Sequence, residues 1–144
     1  MKPSTILFCA ALVAACASTG EPSPRDAARL DEARRLLADQ PLQALDVAEA
    51  LLKDNPGWRD ARLVAAEGSL RLARNGGSQT QLHLIDAATQ FDKALYGVDD
   101  ADAPAALLLL AECRHDLGEF ETAREAALRA ARGYAATPVP EYRT

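Results

Sequence analysis

Histidine, cysteine and a cluster of aspartates are the residue types in this sequence that could carry out chemistry. The two histidines, His83 and His115, are far apart in the chain, and neither lies at a spacing typical of a zinc site. Asp116 follows His115 directly, but neighbouring residues of a helix point in different directions, so they do not form a catalytic pair. The chain also lacks serine-hydrolase motifs, and no lysine follows Gly76-Gly77 as in a phosphate loop. We therefore predict no enzyme activity and no catalytic, cofactor-binding or metal-binding residue.

The aspartate cluster is the run Asp99-Asp100-Ala101-Asp102. It lacks the glycine and the distal glutamate of a calcium-binding loop. Aspartate is also a preferred residue at the N-cap of a helix, where its carboxylate accepts a hydrogen bond from a free backbone N–H. We therefore interpret the run as a solvated loop and expect Asp102 to cap the helix that begins at Pro104.

Cys16 follows an amino-terminal segment with the pattern of an export signal. Lys2 is followed by an apolar stretch over residues 6–13, which is shorter than the roughly 20 residues that span a bilayer. The stretch ends in Val13-Ala14-Ala15-Cys16, which resembles the lipobox of bacterial lipoproteins. That resemblance implies a signal peptide over residues 1–15, cleavage before Cys16, and attachment of diacylglycerol and fatty acid, such as palmitate, to this cysteine. The alternative is an ordinary secretory signal that leaves Cys16 unmodified.

We predict that residues 16–25 comprise the lipidated cysteine and a flexible tether, because residues 17–24 are small, polar and proline-containing and would span about 25 Å. In the lipoproteins that the lipobox resembles, an aspartate directly after the cysteine signals retention in the inner membrane. Here that residue is Ala17, so the resemblance implies the periplasmic face of the outer membrane. Beyond Cys16 only Cys113 remains, so the exported domain has no internal disulfide. We interpret Cys113 as a small core residue.

The rest of the chain predicts six helices, because apolar residues recur at helical spacing and proline or glycine separates the segments. Alanine is abundant and aromatic residues are scarce, which favours closely packed helices with thin cores. The predicted helices cover about residues 26–38, 41–54, 58–74, 79–96, 104–116 and 120–135. The tail over residues 137–144 contains Pro138 and Pro140 and is predicted to be irregular.

The last two predicted helices resemble a tetratricopeptide (TPR) repeat. The residues that carry the resemblance are Leu107, Leu110, Ala111, Leu117-Gly118, Phe120, Ala123 and Ala130. A second unit matches less closely through Ala65, Ala87, Phe91 and Ala94, and a first unit through Ala33, Ala44, Ala48 and Pro56. The resemblance implies an all-α, right-handed solenoid of about three helical hairpins over residues 26–136. The alternative is an antiparallel bundle of six helices.

A TPR solenoid usually binds a peptide or a partner helix in a groove lined by the first helix of each hairpin. Matching the groove positions of the family to this sequence gives Arg59, Arg62, Leu108, Glu112, His115 and Asp116. Charges of both signs in such a groove favour a polar peptide, although the same residues would also suit solvated helix faces. The last helix is expected to expose Ala126, Ala127, Leu128 and Ala131. This surface is expected to contact a partner or a second copy of the chain, or to be covered by the tail.

The net charge of −5 and the lack of a basic run argue against nucleic acid as a partner. An acidic surface also provides no electrostatic attraction to anionic lipid. Together with the two resemblances, this predicts a membrane-anchored interaction module or scaffold in the bacterial cell envelope. The alternative is an envelope enzyme or regulator that acts in peptidoglycan metabolism. A third hypothesis, an accessory for a small ligand, is disfavoured because alanine-rich packing leaves little room for a deep pocket.

Overall fold

The computed structural model describes residues 21–136, and this part of the chain is entirely helical. The helices are α1 (Pro24–Leu36), α2 (Pro41–Asp54), α3 (Arg59–Arg74), α4 (Thr80–Leu95), α5 (Pro104–Asp116) and α6 (Phe120–Ala136). A short 3-10 turn, Asp100–Asp102, precedes α5, and no strand occurs within residues 21–136. The prediction of an all-α domain with six helices is therefore confirmed. Each predicted end lies within two residues of the observed one.

Local sequence signals account for where the helices begin. Pro24, Pro41 and Pro104 occupy the first turns of α1, α2 and α5, where a missing backbone N–H costs nothing. The hydroxyl of Ser23 also accepts a hydrogen bond from the backbone N–H of Asp26, at 3.2 Å. Helix α1 thus begins before the predicted start at Asp26. Residues 23–25, which were predicted to end the tether, belong instead to the start of this helix.

The predicted cap of α5 at Asp102 is wrong. Asp102 lies in the 3-10 turn, where its N–H donates to the carbonyl of Asp99 at 3.0 Å, and Ala103 is the residue before the helix. The turn has a different role, because the carboxylate of Asp100 accepts from Arg129 at 2.8 Å and from Arg132 at 3.0 Å. The acidic run therefore fastens the loop before α5 to the last helix.

Consecutive helices pack against each other from α1 to α6. Helix α3 also contacts α1 and α5, which are not its immediate neighbours in the chain. Of the helices within residues 21–136, α1 contacts only α2 and α3, whereas α6 contacts only α5, together with the 3-10 turn and the loop before it. The two terminal helices therefore do not touch.

Two apolar clusters form the core, and α3 contributes to both. One cluster joins α1, α2 and α3, and the other joins α3 to α6. Alanine supplies many of these contacts, which lets helix axes approach closely. At Gly68, an added Cβ would lie 3.3 Å from the Cβ of Leu45, so α2 and α3 nearly touch there. At Gly133, an added Cβ would overlap the carbonyl of Asp100, which fixes α6 against the turn before α5.

A tight turn at Gly118 joins α5 to α6, as predicted. Gly118 has φ +80°, a conformation that glycine adopts without a steric penalty. The N–H of Gly118 donates to the carbonyl of His115 at 2.9 Å, and the N–H of Glu119 donates to that of Arg114 at 2.8 Å. These bonds close the end of α5 and allow α6 to begin immediately. No helix within residues 21–136 is long and apolar enough to cross a membrane.

Candidate partner-binding surface

Ion pairs connect α1, α3 and α5 along one side of the domain. Arg34 of α1 pairs with Asp60 of α3 at 3.2 Å. At the other end of α3, Arg74 pairs with Glu112 of α5. We call the side that carries these pairs the inner surface. Its charges have both signs, and the pairs lie on exposed or half-exposed side chains.

A groove lies between α1 and α3 on the inner surface. Its volume is about 400 Å³, and its lining residues are Arg34, Leu37, Ala38, Leu63, Val64, Glu67 and Arg71. Glu67 and Arg71, one turn apart on α3, form an ion pair at 2.7 Å. The groove therefore has an apolar floor and a charged rim, which suits a peptide with both apolar and polar side chains.

A second groove, which we call the α5/α6 groove, lies at the carboxyl-terminal end of the domain. Its volume is about 580 Å³, and its lining residues are Ala111, Glu112, His115, Asp116, Phe120, Ala123, Arg124 and Ala127. The ring of His115 meets the ring of Phe120 edge-on, with the centroids 5.5 Å apart. Apolar atoms make up most of this surface, and charged groups lie at its edges.

Three of the predicted site residues are brought together here, since Glu112, His115 and Asp116 share the α5/α6 groove. Leu108 lies one turn before Glu112 on the same helix, and 42% of it is exposed. The predicted site residues on α5 thus form a single accessible helix face. This face adjoins the inner surface at Glu112, which pairs with Arg74 of α3.

Arg59 and Arg62 lie elsewhere on α3. Arg62 donates to the side-chain carbonyl of Gln90 on α4, at 2.8 Å, and to the backbone carbonyl of Pro56. The Nε of Arg59 is buried without a hydrogen-bond partner among the described residues. The structure therefore does not place these two arginines with the α5 residues. The positions of α3 that face the inner surface are Asp60, Leu63, Glu67, Arg71 and Arg74.

The sequence-based prediction missed these α3 residues because the rotation of α3 was inferred from family positions. The spacing of Leu63, Glu67 and Arg71 does follow one helix face, so it offered a signal for a shared surface. Nothing local in the sequence indicates which neighbour that face meets. Phe120 and Arg124 were also missed, although the sequence places both on α6 at a spacing of one turn.

Arg114 of α5 connects three helices through its guanidinium. Its hydrogen bond to Asp92 of α4, and then its proximity to Glu119, raise the pKa of its guanidinium. Arg114 pairs with Glu119 at 2.7 Å and donates to Thr122 of α6 at 3.1 Å. This arginine stays charged and links α4, α5 and the start of α6.

Cys113 is buried in the core, as predicted, and burial raises the pKa of its thiol to about 12. Because the thiolate is the nucleophilic form, this thiol is not suited to chemistry near neutral pH. Among residues 21–136, no group of three or more histidine, cysteine, aspartate or glutamate side chains is placed to hold a metal ion. The surface described above is suited to binding.

Comparison with protein families, with characterised proteins and with solved structures finds no match to this chain. Cys16 and the proposed signal peptide lie outside the described residues, as do most of the tether and the tail over residues 137–144. The predictions of lipidation and location therefore remain predictions.

Proposed function

We propose that this protein is a membrane-anchored lipoprotein whose helical domain binds a protein partner and acts as a scaffold in the bacterial cell envelope. The observation that carries the proposal is the inner surface, where α1, α3 and α5 are joined by ion pairs and border an accessible groove. A row of helices held in this way offers a continuous surface for an extended or helical segment of a partner.

The proposed architecture is a right-handed solenoid of three TPR-like hairpins: α1–α2, α3–α4 and α5–α6. The contacts of α3 with both α1 and α5 support this arrangement, as does the lack of contact between α1 and α6 within residues 21–136. A closed bundle would normally bring its first and last helices together. The alanines at matching positions of the three hairpins are also buried, and they are Ala33, Ala65, Ala111, Ala44, Ala87 and Ala123.

The proposed partner presents a polar peptide segment with a few apolar side chains. The groove between α1 and α3 offers Leu37, Ala38 and Leu63 for apolar contact. Glu67, Arg71 and Arg34 surround that floor, and their exposed ion pairs with each other and with Asp60 can be exchanged for contacts with charged groups of the partner. In this proposal Leu108 and Glu112 extend the surface along α5.

Membrane attachment in this proposal depends on lipid at Cys16. The lipobox resemblance of residues 13–16 supports it, and the acidic net charge makes electrostatic attachment to anionic lipid unfavourable. A tether between Cys16 and α1 would present the domain on the periplasmic face of the membrane, with the outer membrane favoured by Ala17. The inner surface would then be free to contact other envelope proteins.

Charge reversal on the inner surface tests the proposed function. Arg71→Glu should reduce co-purification of the partner from cross-linked membranes at least fivefold, because it places a second carboxylate beside Glu67 on the rim of the groove. Lys93→Glu is the matched control, because Lys93 is exposed on α4. This substitution makes the same charge change as Arg71→Glu, but away from the groove. Equal recovery of the partner with both variants, when both retain wild-type helicity by circular dichroism, would contradict the proposal.

A further inference from the structure

Helix α6 has an apolar side that no other part of the described chain covers. Phe120, Leu128 and Tyr134 are 64%, 49% and 52% exposed. Ala127 and Ala131 lie between them and are exposed as well, whereas Ala126, which was predicted to be exposed, is buried. Isolated apolar residues are common at protein surfaces, but here they share one side of a single helix and adjoin the α5/α6 groove.

The corresponding side of α4 shows what such a surface normally contacts. Matching Ala123 of α6 to Ala87 of α4 places Phe120, Arg124 and Ala131 at the positions of Leu84, Ala88 and Leu95. All three α4 residues are buried, in the cluster that includes Leu107, Leu110 and Ala111 of α5. In α4 this side is therefore covered by the next helix, α5. The same side of α6 has no helix beside it within residues 21–136.

The opposite end of the domain is different. Helix α1 exposes charged residues, among them Arg25, Arg29, Glu32 and Arg35. A polar outer face is what a terminal helix of a repeat array requires in water. A second copy stacking its α1 on α6 would bury these charges, so a head-to-tail chain of copies is disfavoured.

The two walls of the α5/α6 groove carry charges of opposite sign, so two copies related by a two-fold axis could pair them. Its α5 wall carries Glu112 and Asp116, and its α6 wall carries Arg124. Arg124 has no hydrogen bond or ion pair with any residue of the described range. Within residues 21–136, the carboxylate of Asp116 has a single polar partner, the neighbouring His115 at 3.5 Å. In a symmetric pair of chains, Arg124 of each copy can therefore meet the acidic wall of the other.

We propose that two copies of this chain form a homodimer in which α6 of each copy lies in the α5/α6 groove of the other. The partner helix takes the place that α5 occupies beside α4. The dimer buries Phe120, Ala127, Leu128 and Ala131, and it pairs Arg124 with Asp116 of the partner copy. If Cys16 is lipidated as in the proposed function, the dimer is held on the membrane by two anchors and therefore more stably than a monomer with one.

The test is a measurement of dimerisation by native mass spectrometry and sedimentation, using the full chain released from membranes in mild detergent. The wild-type chain should form a dimer in a concentration-dependent manner. Ala131→Glu should raise the dimer dissociation constant at least tenfold, because it buries a carboxylate in an apolar contact. Ala28→Glu is the matched control, as Ala28 is equally exposed on α1, and it should leave the dissociation constant unchanged.

A charge swap separates the proposed contact from a general effect of charge. Arg124→Glu and Asp116→Arg should each weaken the dimer roughly tenfold or more, since each places like charges together. The double variant should regain most of the lost affinity. A wild-type chain that remains monomeric at every concentration would overturn the proposal, and so would a dimer that Ala131→Glu leaves intact. A monomer whose Ala131 position cross-links to a different protein would overturn it as well.

Discussion

At the scale of single residues, burial determines what Cys113 can do. Its thiol lies in the core shared by α3 to α6, and the pKa is raised to about 12, chiefly because burial disfavours the charged thiolate. Compared with a thiol of ordinary pKa, the thiolate fraction near neutral pH is lower by about a thousandfold. Cys113 therefore acts as a small apolar side chain in the core.

We predict that Cys113 in the folded protein reacts with iodoacetamide at pH 8 at least a hundredfold more slowly than in urea. Peptide mass mapping at timed intervals would measure the reaction at this residue. Folded and unfolded samples of the same chain provide the control. Rapid alkylation of Cys113 in the native protein would show that the α5 environment opens frequently.

Asp100 is a second residue whose environment sets its chemistry. Its hydrogen bond to Arg129, and then its contacts with Arg132, lower the pKa of its carboxyl below the ordinary value of 3.8. The folded state therefore binds this proton less readily than the unfolded state. Stability from Asp100 is fully present above the ordinary pKa and is lost as the pH falls through the lower pKa of the folded state.

Asp100→Asn should accordingly lower the melting temperature at pH 7, and the difference from the wild type should shrink below pH 3. Thermal unfolding followed by circular dichroism from pH 2 to pH 7 would measure this. Asp99→Asn is a suitable control, since Asp99 is exposed at the adjacent position. A pH-independent loss of stability in Asp100→Asn would contradict an electrostatic role.

At the scale of elements, Gly133 sets the distance between α6 and the loop before α5. The Cβ of an alanine would meet the backbone of Asp100 and the side chain of Pro104. Backbone atoms cannot move aside as a flexible side chain can. The helix must therefore shift, even though alanine is the better helix former by about 1 kcal/mol.

Gly133→Ala is predicted to reduce the free energy of unfolding by about 1–2 kcal/mol, because the steric cost of overpacking exceeds the gain in helix propensity. Urea unfolding would give this value. Gly57→Ala is the control, since a Cβ at Gly57 would contact nothing within 4 Å. A Gly133→Ala variant as stable as the wild type would show that α6 can slide on α5.

Arg114 makes a different kind of contact between helices. It joins Asp92 of α4 to Glu119 and Thr122 beside the start of α6. The sequence shows an arginine on α5, but it does not show that three helices converge on it. Contacts of this kind help to set the angles between helices, because they act between elements that are distant in the chain.

At the scale of the whole molecule, the two ends of the helical row have opposite character. Helix α1 is charged on its outer side, whereas α6 exposes Phe120, Leu128 and Tyr134. An array with one polar and one apolar end favours a closed pair of copies over an open filament. The proposed dimer and the proposed partner surface share Glu112. Arg71 belongs only to the partner surface and Ala131 only to the dimer, so variants of these two residues test the two proposals separately.

Membrane attachment is also a property of the whole chain. We predict that Cys16→Ser abolishes labelling by an alkyne-modified palmitate probe and releases most of the protein from the membrane fraction, because lipid at this cysteine is the proposed anchor. Cys113→Ser is the matched control and should leave both labelling and fractionation unchanged. Labelling that persists in the Cys16→Ser variant would contradict the lipoprotein assignment.

Periodicity, prolines and glycines in the sequence were sufficient to predict six helices, the turn at Gly118 and the burial of Cys113. These features depend on residues close together in the chain, so local patterns predict them. The rotation of α3, which directs Arg62 to Gln90 and Arg71 to the inner surface, was decided by the tertiary structure. The tertiary structure also decided the pairing of Asp100 with Arg129, in a segment that the sequence led us to interpret as a solvated loop. Helix rotation and long-range ion pairs depend on neighbours from distant parts of the chain, and no local pattern encodes which neighbours these are.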